Sequence, residues 1–529
     1  MKIFLLYRDR NVVLRQRDVP YNLHDLEEDL DVGVLLDAMA REDPFLRDVA
    51  RSVFFETLSD LSVLAYRQAV LEDCLRNAAT VRELYALAVE AIEGEKKQYF
   101  GIFGKYPGSI LRRSVDVLRL FTGILKKVRR IADEKEGSFV SEGFRSLFAM
   151  LKAELDDAYF RAVEAHLEVL LFRRGMLVSA GLGEGNRGRD YVLRRPKVED
   201  RGWLGRFFRK RTRECAFTIS DRDESGARAL SELKERGINL VANALAQSAE
   251  HILGFFAVLR TELAFYVGCL NLYEHLARKG LPVSFPSPLA AKEERYSARE
   301  LYNVCLALKL ECGVVCNDLD ADGKRLMVIT GANQGGKSTF LRALGLAQLM
   351  MQCGMFVPAA FFRASVCSGV HVHGKRREDV TMKSGKFDEE LDRMSFLVDN
   401  LAPAALVLFN ESFAATNERE GSEIAGQIVS VLVEKGMRVV FVTHLYEFAR
   451  RFYEKRSETM LFLRAERRSG GERTFRITEG EPLRTSFGDD LYRRIFCERE
   501  AVGTEFPREV GEHATGDVDG VAKSPDGGS

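Results

Sequence analysis

The sequence predicts a multidomain chain: an α-helical region that carries a small β-rich insertion, followed by an α/β domain with a largely parallel sheet. Three observations carry this reading. Apolar residues recur at helical spacing almost without interruption from Leu26 to Phe172, and again from Ser225 to Arg278. Between these stretches, at Gly175, the pattern changes to short runs set among Gly-rich and charged turns. From Tyr302 onward strand-like runs alternate with helical ones, as in βαβ units. At 529 residues the chain exceeds one ordinary core, so about two to four domains are expected.

Taken in order, the helical half holds long amphipathic stretches such as Ser114 to Glu134 and Gly143 to Phe172, suited to levers or a bundle. Met176 to Ala180, Tyr191 to Arg194 and Ala216 to Ile219 read as three short strands of the insertion, which spans about 173–222. Helical periodicity then runs to Gly280, and the breakers of Pro282 to Pro288 read as a boundary loop. Leu326 to Ile329, Leu406 to Phe409 and Arg438 to Val442 have the composition of buried strands. Phe340 to Met351 is helical, with Phe340, Leu341, Leu344 and Leu349 at the required intervals. The end of the chain, 499–529, is polar and Gly-rich beyond about Phe506 and reads as a disordered tail.

Composition narrows the function classes. Lys+Arg and Asp+Glu balance at 78 each, which argues against whole-surface attraction to nucleic acid or membrane. No apolar run approaches bilayer length, and Met1 to Leu6 is cut short by Arg8 and Asp9, so neither a membrane span nor a secretory signal is expected and a cytosolic protein is. The nine cysteines are scattered without a C-x-x-C; Cys312 and Cys316, the nearest pair, read as small core residues. His371 and His373 alternate on a strand near Cys367, but two histidines without further spaced ligands read as structural rather than metal-binding. The one marked asymmetry lies in the insertion. Arg187 to Arg213 holds eleven Lys/Arg against Asp190, Glu199 and Asp200, with Tyr191, Trp203, Phe207 and Phe208 interleaved. Cations with stacking groups suit a phosphate backbone and exposed bases; a solvated loop is the alternative. Arg206, Arg209, Lys210 and Arg211 are the candidate contacts.

The strongest signal is Gly331 to Thr339, GANQGGKST, directly behind the strand run Leu326 to Ile329. Gly331, Gly336, Lys337 and Ser338 satisfy G-x-x-x-x-G-K-[ST], a loop whose backbone N–H groups curl around a polyphosphate while lysine supplies a point charge. In this reading the amides of Asn333, Gln334, Gly335 and Gly336 and the Lys337 ammonium hold phosphate. Ser338 holds Mg²⁺, and the following helix adds its N-terminal partial charge. Some 70 residues on, the strand Leu406 to Phe409 ends in Asn410 and Glu411, a Walker B position in which Glu411 orients or deprotonates the attacking water. Asn410 stands where an aspartate is usual; its amide can accept from a metal-bound water but brings no charge, so weaker Mg²⁺ binding or slower turnover is expected. The strand Arg438 to Val442 ends in Thr443 and His444, which puts an imidazole within reach of a γ-phosphate.

GANQGGKST followed by FLRALGLAQLMMQCGMFVPA resembles the MutS family of ABC-type ATPases, with the family's G-x-x-V-P-A turn at Gly354, Val357, Pro358 and Ala359. Further elements follow in family order. Val315, Asn317 and Asp318 resemble the segment that abuts adenine. Ser384 and Gly385, before Phe387 and Glu390, resemble the signature segment that reaches a partner subunit's nucleotide. FNESFAATNEREG, with Thr416 at the loop threonine, VTHLYE from Val442 to Glu447, and Ser486, Phe487 and Gly488 are similar to the family's later motifs. The resemblance is close over about 300–496 and looser before it, where the helix, β-insertion, helix order is similar to the lever and clamp region.

The resemblance implies a lever-like region at 1–300, an ATPase domain at 301–498, and ATP with Mg²⁺ as ligands. It also implies a homodimer with composite sites, Ser384 of one chain completing the loop of the other, and a nucleic-acid ligand, DNA in preference to RNA. The mismatch-reading and connector domains are not expected, since the chain opens close to the lever region. The F-x-E matches at Phe54 to Glu56 and Phe452 to Glu454 fall in a helical pattern and behind His444, so neither is read as the mismatch wedge. A C-terminal nuclease module is not expected either. The expected function is an ATPase coupled to DNA binding in mismatch repair or recombination without direct mismatch reading. The alternatives are a nucleotide-gated scaffold that does not hydrolyse, or an ATPase acting on structured RNA or a ribosome.

Overall fold

A computed structural model describes residues 2–11, 20–98, 106–173, 175–186, 188–194, 216, 218–220, 222–311, 313–374, 385–468 and 472–483. The first half is helical: α1 (Leu23–Asp29), α2 (Val32–Ala40), α3 (Pro44–Phe54), α4 (Leu61–Arg76), α5 (Ala78–Lys97), α6 (Pro107–Lys135), α7 (Glu142–Glu154) and α8 (Asp157–Val169). Helix starts follow capping chemistry. Asp43 accepts the N–H groups of Phe45 and Leu46 with Pro44 in the first turn of α3, and Asp60 accepts that of Ser62 for α4. The same device corrects one expectation. Gly143 to Phe172 is not one stretch but two helices, because Asp156 leaves the helical path and its carboxylate caps α8 through the Tyr159 N–H at 2.6 Å.

The insertion is a hairpin of β1 (Leu177–Leu182) and β2 (Gly188–Arg194), antiparallel, packed on the long helix α9 (Glu224–Arg278), where Val178 lies against Gly237. The third strand expected at Ala216 to Ile219 is not formed: residues 216, 218 and 219 lie outside any strand, and β1 and β2 pair with each other. A short apolar run becomes a strand only where a neighbour supplies hydrogen bonds.

Helix α9 runs 55 residues, about 80 Å. Its first part is largely exposed and its last part is buried against α2 to α6. It also corrects the expectation about apolar runs, since one 18-residue window is long and apolar enough to cross a membrane by length and composition alone. Here that window is largely core. Phe256, Leu263, Phe265 and Tyr266 are buried, and Glu262 accepts the N–H groups of Leu5 and Leu6 at 3.0 and 2.9 Å.

After α9 come β3 (Ser287–Leu289), β4 (Tyr296–Leu301), α10 (Val304–Lys309), β5 (Asn317–Asp320), β6 (Leu326–Gly331), α11 (Lys337–Gln352), β7 (Phe361–Ser365), β8 (Val370–Gly374) and α12 (Lys386–Asp399). They are followed by β9 (Leu406–Asn410), α13 (Glu418–Glu434), β10 (Arg438–Val442), α14 (Tyr446–Glu454), β11 (Met460–Arg467) and β12 (Arg473–Glu479). Six strands form one sheet in the order β12-β11-β6-β10-β9-β8, parallel except for β12, and four form another in the order β3-β7-β4-β5. The expected loop at Pro282 to Pro288 already joins the smaller sheet: Ser284 bridges Val357, and β3 begins at Ser287.

The six-stranded sheet explains its own sequence. Successive residues of β6, β9 and β10 enter opposite cores, Met327, Ile329, Leu406, Leu408, Val440 and Val442 on one side and Leu326, Val328, Val407, Phe409, Val439 and Phe441 on the other. A strand covered on both faces must be apolar throughout. The first core is continuous with the helical half, running from Leu35, Val49 and Phe54 to Leu344 and Met350 of α11. The second is closed by α12, α13 and α14.

At the carboxyl end of α11 the helical half grips the α/β half directly. Arg67 of α4, fully buried, donates to the carbonyls of Leu6 at 2.9 Å and Cys353 at 3.3 Å and pairs with Glu56 at 2.7 Å. Gln352 accepts the Leu58 N–H at its carbonyl (3.1 Å) and donates from its side chain to the carbonyls of Leu58 and Cys367 at 2.9 and 2.8 Å.

Candidate functional site

The loop between β6 and α11 leaves the sheet at Gly331, at the carboxyl end of a central parallel strand, where ligands of open α/β sheets bind. Its backbone turns through positive φ at Gly331 (111°), Gln334 (59°) and Gly336 (91°), the last as N-cap of α11. A Cβ at Gly336 would be strained by that φ, a conformation that favours glycine, although the space beside Phe475 would admit it. Close packing from β11 adds to this, since a Cβ at Gly335 would stand 2.7 Å from the Ala465 methyl.

Lys337 is buried, and its ammonium donates to the carbonyls of Gly331 and Ala332 at 3.0 Å each. Burial pushes its pKa down to about 8; Glu411 opposes that fall and Arg473 adds to it. The lysine therefore sits folded back on the loop, a cation held by two dipoles at a helix N-terminus. One residue on, the Ser338 hydroxyl donates to Asn410 Oδ1 at 2.8 Å, which joins α11 to the end of β9.

Glu411 follows Asn410 with φ of 56°, its N–H donating to the Val442 carbonyl at 2.9 Å. Its carboxylate lies 3.1 Å from His444 Nε2. The strand ends of β6, β9 and β10 thus converge Lys337, Ser338, Asn410, Glu411 and His444 on one spot, as their order in the sequence suggested. A divalent cation there would meet the Ser338 hydroxyl and the Asn410 amide oxygen, both neutral. They can hold a hard cation but lack the charge of a carboxylate.

On the other side of the loop lies a cavity of about 380 Å³, lined by Tyr302, Val315, Asn317, Thr339, Phe340 and Phe475 together with Gly336. Asn317 of β5 fixes its far wall, accepting the Ile477 N–H at 2.7 Å and donating to the Phe475 carbonyl at 3.4 Å. Aromatic walls with a few polar groups suit a flat heterocycle. The two histidines of β8 are placed structurally. His371 contacts the Tyr21 hydroxyl at 3.0 Å and stacks on that ring, with burial pushing its pKa down to about 4. His373 lies 2.8 Å from the Ser412 hydroxyl. No group of three or more metal-ligating side chains occurs among the described residues.

Two family models cover most of the chain: residues 59–279 match the MutS2 N-terminal domain, and residues 327–491 match MutS domain V. The chain belongs to the MutS family. The DNA mismatch repair protein MutS of Thermotoga sp. (strain RQ2) is 35% identical over 149 residues, 27% of this chain and 19% of that protein. MutS of Porphyromonas gingivalis is 30% identical over 216 residues, 37% of this chain and 24% of that protein. The mismatch repair protein MSH3 of Arabidopsis thaliana is 35% identical over 143 residues, 26% and 13% respectively. The chain thus spans less than a quarter of the length of each of these relatives.

Several sequence expectations within this MutS-family chain fall outside the described residues: Ser384 of the signature segment, the closing Ser486 to Gly488, Cys312, and the basic candidates Arg206, Arg209, Lys210 and Arg211. Other neighbours of the loop were not anticipated. Arg473 donates through Nε to the Asn333 carbonyl at 2.7 Å, and Ala465 and Phe475 press on the glycines. They come from the β11–β12 pair, more than a hundred residues downstream, and no motif spacing announces them. β11 opens on the apolar run Met460 to Leu463, but its place beside β6 is visible only in the sheet.

Proposed function

We propose that this MutS-family chain binds and hydrolyses ATP and couples the nucleotide state to DNA binding, in a mismatch-repair- or recombination-related role. The observation that carries it is the convergence of Lys337, Ser338, Glu411 and His444 at one end of the parallel strands, beside an aromatic-walled cavity of a size suited to a purine. In this reading the amides of Asn333 to Gly336 and the Lys337 ammonium bind the β- and γ-phosphates, and the base enters the cavity along Asn317 and Thr339. Ser338 and Asn410 are the ligands for Mg²⁺, which would neutralise phosphate charge. Glu411, oriented by His444, accepts the proton of the attacking water, and His444 also faces the γ-phosphate.

Residues 301–498 are proposed as the ATPase domain, joined by the small-sheet strands β3 and β4, and 1–300 as the lever region with a clamp-like hairpin. Two chains would pair so that Ser384 of one completes the site of the other. DNA would lie against the basic segment with Arg206, Arg209, Lys210 and Arg211, in the cytosol. Glu411→Gln tests the chemistry: ATP binding stays intact while turnover falls at least about a hundredfold. Equal turnover in that variant removes Glu411 from the mechanism. Neutralising the four basic residues is expected to weaken DNA binding and flatten its salt dependence; an unchanged slope places the contact elsewhere.

A second reading is favoured by one contact. Ser338 already has the neutral Asn410 amide as its hydrogen-bond acceptor, so the site lacks the carboxylate that usually anchors the metal. A chain that binds nucleotide and changes shape without hydrolysis fits that arrangement. Mg²⁺-dependent phosphate release above background excludes it.

A further inference from the structure

We infer that Arg473, at the start of β12, is a second phosphate-neutralising cation of the proposed nucleotide site, and that the site therefore holds a nucleoside triphosphate with little dependence on a divalent metal. The inference rests on the nucleotide reading above and deepens it. Arg473 comes from the antiparallel edge strand, yet its guanidinium reaches the phosphate loop itself, with Nε donating to the Asn333 carbonyl at 2.7 Å. Its place is fixed by the strand that carries it. Phe475, two residues on, has φ of 59°, and its carbonyl meets Gly336 and accepts from Asn317. The bent strand is thus held against the middle of the loop at Asn333 and its carboxyl end at Gly336.

Charge makes the argument. Lys337 and Arg473 stand beside one loop, and Glu411, the carboxylate whose charge acts on Lys337, is engaged with His444. At position 410, where a carboxylate would add negative charge beside the metal, there is an amide. Both features act in the same direction: they weaken the hold on a divalent cation and strengthen the hold on bare phosphate oxygens. A guanidinium can also form paired, charge-assisted hydrogen bonds to phosphate that an ammonium cannot. Arg473 would reach the γ-phosphate by exchanging or sharing its contact to Asn333, which couples phosphate occupancy to the position of β12.

The test is the affinity of the full-length protein for ATP, measured by equilibrium dialysis in excess Mg²⁺ and again in EDTA. The wild-type affinities are expected to agree within about tenfold, since one added charge-assisted contact is worth about that factor. Asn410→Asp is expected to widen the gap well beyond tenfold, by gaining metal affinity and by repelling the metal-free triphosphate. Arg473→Gln should weaken binding about tenfold in EDTA and much less in Mg²⁺, with Arg473→Lys recovering part of the loss. Arg473 acting only as a prop for the loop would weaken binding equally in both buffers, and that result overturns the inference. So does wild-type binding that disappears in EDTA. Absence of ATP binding in both buffers overturns the nucleotide reading itself, and this inference with it.

Discussion

The two ends of α11 are built on opposite plans. At its amino end the chain turns through positive φ at Gly331, Gln334 and Gly336, and the buried ammonium of Lys337 donates to two loop carbonyls and feels the charge of Glu411. At its carboxyl end every partner is in place: Arg67 spans the Leu6 and Cys353 carbonyls and Glu56, lies 4.6 Å from the centre of the Tyr7 ring, and abuts Gly354, where even a Cβ would come within 2.6 Å of its own. One end is a cradle whose hydrogen bonds can be exchanged for those of an anion. The other is a saturated joint without slack. The 16-residue helix α11 joins the two directly.

The largest expected effect lies at the joint. Arg67→Ala removes a buried cation together with its bonds to two carbonyls and to Glu56, which keeps the Tyr7 hydroxyl, and should cost about 3–5 kcal/mol of stability. Denaturant titration checks it, and a loss below about 1 kcal/mol would mean the joint is not saturated in solution. The matching change at the cradle, Lys337→Ala, should leave the denaturation midpoint nearly unchanged while weakening ATP binding by roughly ten- to a hundredfold, the worth of a hydrogen bond to a charged group. Unaltered affinity would break the comparison from the other side.

The smallest effect is one of pH. Lys337, with its pKa lowered from the ordinary 10.5 to about 8, is charged below that value in the free protein and loses its proton above it. Phosphate favours the charged form, so affinity should be flat below pH 8 and fall above it by at most about tenfold per unit. Stability moves the other way. Between 8 and 10.5 the unfolded chain holds this proton and the folded one does not, so this residue's contribution to stability rises with pH. Lys337→Ala should abolish both trends.

Much of the cradle was legible in the sequence and almost none of the joint. Leu326 to Ile329, Leu406 to Phe409 and Arg438 to Val442 announced themselves because strands buried on both faces must be continuously apolar, and the residues at their ends then had to converge. Arg67 sits in a helix whose pattern reads like its neighbours, and its partners at Leu6, Glu56 and Cys353 are scattered along the chain; only tertiary packing assembles them. Arg473 and Phe475 escaped for a related reason. Strand β12 is an edge strand with mixed exposure, so it lacks the unbroken apolar run that marks a central one. The split at Asp156 was written in the sequence as an N-cap, but the amphipathic pattern on either side masked it. In the apolar window of α9 the side chains were correctly read as helical, while their burial among α2 to α6 depends on neighbours that no local pattern names.

The hydrophobic core that passes unbroken from Phe54 to Met350 sets a limit on dissection. Severing the polypeptide between Gly280 and Ser287, where the sequence suggests a seam, would strip α11 of its hydrocarbon covering and take from Arg67 its bond to the Cys353 carbonyl, leaving those to Leu6 and Glu56. Neither fragment would be expected to remain dispersed without detergent or its complement. The two halves share one core and are not laid out as independently folding units.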